Sequence, residues 1–183
     1  MSKTVTISAG HSRDPGTVDY GAVGYVHEST VAREIVNNVR NYLEKQGVNV
    51  YVCTDASTYG DVTTHLQEIC AKHNQHKADL AVSIHLNSSA KTHEPLGCEC
   101  YYSSGGSGVK AKAAKAVCSE LHEVGLKNRG AKLSNNLYFL NHTTDPAILI
   151  ETFFVSSKAD VDLYEENKKE VAKAIAHGIL KAI

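Results

Sequence analysis

The chain reads as an α/β domain: a single, mostly parallel twisted sheet of about six strands with helices on both faces. Three observations predict it. Short apolar, β-prone runs alternate with longer segments whose apolar residues recur every three or four positions. Glycines punctuate several of the joins. Three of the runs also end on a residue able to do chemistry: 4–9 leads into Gly10 and His11, 79–84 into His85, and 147–150 into Glu151. In an open parallel sheet all three would emerge at the carboxyl edge, where α/β proteins place their sites.

Taken in order, 4–7 is a short β-prone run, and 28–46 follows with a stripe of Val31, Ile35, Val39, Tyr42 and Leu43, closed by Gly47. Valine-rich 48–53 reads as a strand. Segment 61–73 puts Val62, Leu66, Ile69 and Cys70 on one helical face. Strands are expected at 80–85 and 97–102. The glycines of 105–108 break the chain before a helix over 109–124, which Gly125 stops. Two more short strands are expected at 137–140 and 147–150. Ser156 or Ser157 caps a final helix over 159–180, striped by Val161, Val171, Ile175 and Ile179. There is no internal repeat and no linker, so 1–183 reads as one domain. A separate C-terminal module in a longer protein is compatible with this reading.

Composition narrows the function. A chain of 183 residues, 42% hydrophobic and 21% charged, suits one buried core. A net charge of −1 gives no field to draw it to nucleic acid or an anionic membrane. Its apolar runs are far shorter than the ~18 residues a membrane helix needs, so membrane insertion is not expected. The first residues lead into a strand without a signal-peptide core, which predicts synthesis in the cytoplasm. Five cysteines, an odd set with several on apolar faces, read as reduced packing thiols.

Ten histidines compete for any metal. His11 and His85 stand out because each terminates a strand, where a rigid element fixes the imidazole. Glu28 opens the first helix in phase with Ala32, Ile35 and Val39, so its carboxylate should point toward the sheet and gain from the helix dipole. Two imidazoles and one carboxylate suit zinc in an open site. The competing reading makes the histidines plain hydrogen-bonding groups and Glu28 a capping acid. His27 lies about 100° around the helix from Glu28 and is set aside. The run from His27 to Val31 lacks the second histidine of His-Glu-x-x-His. His73 with His76 and Cys98 with Cys100 have no matching second half and read as structural or solvent-facing, and His65 has no partner that sequence reveals.

Glu151 differs in kind. Ile148, Leu149 and Ile150 precede it and Phe153 and Phe154 follow. A carboxylate among such residues is costly unless paired or used. Partly desolvated, it would make a general base for a water held at a metal; paired with Arg129, it would be structural. Asn87 and Arg129 are candidate contacts to a bound substrate, with turn bonding or a surface ion pair as the alternative.

In this order the residues resemble the zinc-dependent N-acetylmuramoyl-L-alanine amidases of the amidase-3 family, which includes bacterial cell-wall amidases and many phage endolysins. The resemblance spans nearly the whole chain. It rests on Gly10 and His11, on Asp14, Pro15 and Gly16, on Gly21 to Gly24, on Glu28, on Asn74, on Ala78 through Asn87, on Asn128, Arg129 and Gly130, and on Pro146 through Glu151. It implies one zinc ion held by His11, Glu28 and His85, with Glu151 as the catalytic acid. It also implies a six-stranded α/β domain and peptidoglycan as substrate, cut between N-acetylmuramic acid and L-alanine. Three departures bear on the substrate groove: Ser12 and Arg13 follow His11, Phe153 replaces a glycine, and an arginine expected on the second helix is missing, with His65 nearby. The Phe153–Phe154 pair and the amino-terminal sequence resemble endolysins of phages infecting Gram-positive hosts, which act on the wall after holin-type release. A zinc carboxypeptidase-like peptidase and a non-catalytic wall-binding module are the rival readings.

Overall fold

Strand β1 (Thr4–Ala9) is buried along five of its six residues, which only a central strand covered on both faces requires. The computed structural model describes residues 2–11, 19–54, 61–105 and 108–183. After β1 come α1 (Glu28–Lys45), β2 (Asn49–Val52), α2 (Val62–Asn74), β3 (Leu80–Asn87) and β4 (Cys98–Tyr102). Then follow α3 (Val109–Glu123), β5 (Asn128–Leu133), α4 (Tyr138–His142), β6 (Ala147–Phe154), α5 (Lys158–Glu166) and α6 (Lys168–Leu180).

The six strands form one sheet in the order β2-β1-β3-β6-β4-β5. β2, β1, β3 and β6 are parallel, β4 pairs antiparallel with β6, and β5 runs parallel to β4. The expected α/β architecture is therefore present, with one reversal of direction. Helices α1, α3 and α6 cover one face around Ile35, Val39, Val117, Ile148, Ile150 and Ile175. Helices α2 and α4 cover part of the other, around Ile69, Phe139 and Leu149.

Four expectations need correction. Residues 137–140 are not a strand: Tyr138–His142 is a short helix that buries Phe139 and Leu140 against the sheet. Stacking of Tyr138 on His142, four residues on, fits that helix. The strand lies earlier, at β5, which carries Arg129 and which the sequence reading leaves without an element. It is a half-exposed edge strand with Gly130 at φ 86° and a register shift opposite Cys98 and Cys100, so no apolar alternation betrays it. The last helix is two, because the side-chain amide and backbone N–H of Asn167 both donate to the Leu163 carbonyl and end α5. Ser157 does cap α5, accepting from the Asp160 N–H. On α2 the buried residues are His65, Ile69, Cys70 and His73, while Val62 is exposed. The helix lies over hydroxyls on β1, and His73 bonds Thr6 and Ser8.

Among the described residues no helix is long and apolar enough to cross a membrane. All five cysteines are free and buried.

Candidate metal centre

Parallel alignment of β1, β3 and β6 brings the three strand ends to one edge. Ala9 lies opposite Ile84, and His85 lies opposite Glu151. β3 and β6 run on past these residues, so His85 and Glu151 project from strands rather than from loops. The Gly10 N–H donates to the Ile84 carbonyl at 3.0 Å. A side chain at Gly10 is impossible, since its Cβ would fall 1.8 Å from His85 Nε2. Gly21, at φ 82°, passes equally close to Glu28 and the His11 ring.

Glu28, the first residue of α1, is buried. Its Oε1 accepts from the Leu86 N–H at 3.0 Å and its Oε2 from the Ala22 N–H at 2.8 Å. The same Oε1 lies 3.2 Å from His11 Nε2 and 3.2 Å from His85 Nδ1. The three donor atoms all lie within 4.8 Å of one another. Bonds of about 2.0–2.1 Å to a tetrahedral ion separate donors by about 3.3 Å, so the set fits zinc with one position left open.

A further carboxylate, Asp19, orients this cluster. Its Oδ1 is 2.6 Å from His11 Nδ1, and its other oxygen bonds His65 Nδ1 on α2. With Nδ1 tied to Asp19, His11 turns Nε2 toward Glu28, the arrangement by which a second carboxylate fixes a ligand's tautomer. Burial opposes charge here, but hydrogen bonds between the imidazoles and the acids outweigh it. Asp19 and Glu28 are both held well below the usual carboxylate range, and Asp19 and Glu28 lift His11 to about 10. The pocket concentrates negative charge around two nitrogens, as a cation site requires.

Glu151 has the opposite character. Its Oε2 is shut off from solvent and has no hydrogen-bond partner among the described residues. Burial pushes its pKa up to about 7; Glu28 and Glu99 add to the rise, while His85 and His11 oppose it. Arg129 is not its partner. Arg129 Nε donates to Glu99 Oε2 at 2.7 Å, and Asn87 Nδ2 donates to Glu99 Oε1 at 2.9 Å.

Asp19, His65 and Glu99 escaped sequence reasoning. Asp19 and His65 carry no local signal, because their meeting depends on how α2 docks. Glu99 did carry one: an acid between Cys98 and Cys100 in a buried strand. His27 occupies the N-cap position of α1 without a side-chain capping bond, and its ring bonds the Tyr20 hydroxyl. His73 is a core histidine whose pKa falls to about 3, first through burial and then through His76. The motif residues Asp14, Pro15 and Gly16, the departures at Ser12 and Arg13, and part of the 105–108 glycine run lie outside the described residues.

Two imidazoles and a carboxylate converge on the carboxyl edge of an α/β sheet, beside a desolvated glutamate, and this group could hold a metal ion of the kind hydrolases use. Residues 5–181 match the amidase-3 family, described as N-acetylmuramoyl-L-alanine amidase, and the chain belongs to that family. It is 30% identical over 196 residues to the germination-specific N-acetylmuramoyl-L-alanine amidase of Bacillus subtilis, covering 98% of this chain and 79% of that protein. It superposes with a TM-score of 0.88 on the catalytic domain of an endolysin targeting Clostridia difficile, at 29% identity and 99% coverage of both chains. A 38.4 kDa protein of Clostridium perfringens is 33% identical over 165 residues, and the match spans only 48% of its length. The family is generally zinc-dependent.

Proposed function

We propose that this chain is a catalytic domain that hydrolyses the amide between N-acetylmuramic acid and L-alanine in bacterial peptidoglycan, with one zinc ion held by His11, Glu28 and His85. The observation that carries the reading is the convergence of those three donors beside Glu151. Zinc bound there would supply a Lewis acid, able to bring the pKa of water toward ~7 and to polarise a carbonyl.

The rest falls to the chain's own groups. Asp19 holds the His11 ring with Nε2 facing inward. The Ala22 and Leu86 N–H groups fix both oxygens of Glu28. Glu151, with a pKa near neutrality, takes a proton from the attacking water as the water oxygen bonds to the carbonyl carbon, before the C–N bond breaks. It then returns that proton to the nitrogen of the departing L-alanine. Without protonation that amine is a very poor leaving group. Its position against β4 and β3 keeps the Oε2 atom dry and lets it hold a proton until the amine leaves.

The test is product analysis on purified cell walls, with metal content measured on the same samples. New free amino-terminal L-alanine on released stem peptide, with the glycan left intact, lost with chelator and regained with zinc, is the expected result. New termini elsewhere in the stem peptide would replace the amidase by a zinc peptidase. Binding without turnover at full zinc occupancy would leave a wall-binding module. His85→Ala is expected to lose zinc and activity together; full occupancy in that variant removes His85 from the ligand set.

A further inference from the structure

The cluster around Glu99 is built like a subsite. Because β4 and β6 are antiparallel, Glu99 sits directly opposite Glu151, on the same face of the sheet. Glu99 is only 3% exposed and receives four donors: Asn87 Nδ2 at 2.9 Å, the Tyr101 hydroxyl at 2.6 Å, Arg129 Nε at 2.7 Å and Lys132 Nζ at 2.5 Å. The two cations that cover it are open to solvent, with side chains 34% and 38% exposed. Arg129 also lies 4.9 Å over the Phe154 ring, and Lys132 lies over Tyr101. One anion and two cations leave a net positive charge, held in place at an open surface beside the reacting centre.

Arg129 commits only Nε to Glu99; neither terminal nitrogen has a hydrogen-bond partner among the described residues. A guanidinium held at Nε and stacked on an aromatic face presents its outer N–H groups in a fixed direction, the geometry that takes a carboxylate. We infer that Arg129 and Lys132, tethered by Glu99, bind a free carboxylate on the stem peptide of the substrate. Glu99 and Asn87 are positioning residues for that pair.

The substrate's chemistry selects the group. On the glycan side the lactyl carboxyl is consumed in the scissile amide, leaving a neutral sugar. L-alanine's own carboxyl is consumed in the next peptide bond. The cations stand one to two strands from Glu151, at about 4.7–4.9 Å per strand. A peptide advances at most about 3.6 Å per residue, so the anion lies within about three residues of the cut. A second residue joined through its side-chain carboxyl keeps a free α-carboxylate at that distance. Amidation of that carboxylate would remove the charge these cations would bind.

This inference rests on the proposed amidase reading, and the experiment separates the two. N-acetylmuramoyl tripeptides are prepared with D-glutamate or D-isoglutamine as the second residue, identical otherwise. The acid is expected to show a KM lower by about tenfold, the usual worth of a charge-assisted hydrogen bond, with similar kcat. Arg129→Gln and Lys132→Met should each lose most of that preference while keeping zinc content and far-ultraviolet circular dichroism, and Arg129→Lys should restore part of it. Equal KM values for acid and amide in the wild-type enzyme overturn the subsite and leave the amidase standing. Calorimetry on Glu151→Gln supplies the other arm: acid-selective binding, with no cleavage by the wild type, keeps the subsite and removes the amidase. Inorganic phosphate that competes as strongly as the peptide acid would reassign the cations to a phosphate-bearing polymer and overturn the carboxylate assignment.

Discussion

Glu99 and Glu151 face each other across the β4–β6 pair, each flanked by apolar residues, and the fold gives them opposite chemistry. Glu99 is surrounded by donors from four residues on three strands; burial would raise its pKa, but Lys132, Tyr101 and Arg129 hold it down to about 2. Glu151, one strand nearer the histidines, receives no donor at Oε2 and is pushed up to about 7. The first is a permanent anion that organises cations; the second can change protonation near neutral pH. Two glutamates of like sequence context therefore differ because hydrogen-bond supply, and not burial alone, decides which form a carboxyl keeps.

Substitution should break the pair apart. Glu151→Gln is expected to retain fold and zinc and to lose about 10²–10⁴ in rate, the usual worth of a general acid–base. Wild-type lysis by that variant, followed as turbidity of a cell-wall suspension, would remove Glu151 from its role. Asp19→Asn comes next: without the carboxylate that fixes the His11 ring, zinc affinity should weaken about 10–100-fold with unchanged secondary structure, read by competition against a chelating dye.

Glu99→Gln should act on stability first. Its cations are a third exposed and partly screened by water, so a loss of about 1–3 kcal/mol is expected, a drop of about 2–4 °C in Tm per kcal/mol. Melting of the metal-free protein against pH sharpens the contrast further, because the two acids have opposite linkage. Glu99 is depressed from 4.5, so its stabilisation is complete above that pH and is lost as pH falls toward about 2. Glu151 is raised from 4.5 to about 7, so the folded state holds its proton more tightly and stability falls as pH rises through that window. Glu151→Gln should remove the slope between about pH 4.5 and 6.5, worth about 1–3 kcal/mol, and leave intact both the acid limb and the fall above pH 6.5 that the raised His11 adds.

Much of this was legible in the chain. The buried strands at β1, β3 and β6 announced themselves as apolar runs, and α1 as a stripe of Val31, Ile35 and Val39. His11, His85 and Glu151 were visible because each interrupts or ends such a run. What stayed hidden lacks a local period. β5 gains its strand character only by pairing with β4, and α4 is too short for its apolar residues to show a helical period. Arg129 was visible as a charge near the site, but nothing nearby in sequence points to Glu99 as its mate.

By itself the sequence determined the alternation of strand and helix, the parallel run that carries two imidazoles and a glutamate to one edge, and the carboxylate that opens α1. Those features follow from hydrophobic period and chain direction, which are local. Only the tertiary structure decided that Asp19 bridges His11 to His65, that β4 reverses against β6, and that Glu99 receives every donor while Glu151 receives none at its buried oxygen. Such outcomes depend on distances between residues far apart along the chain, and those distances are set by packing.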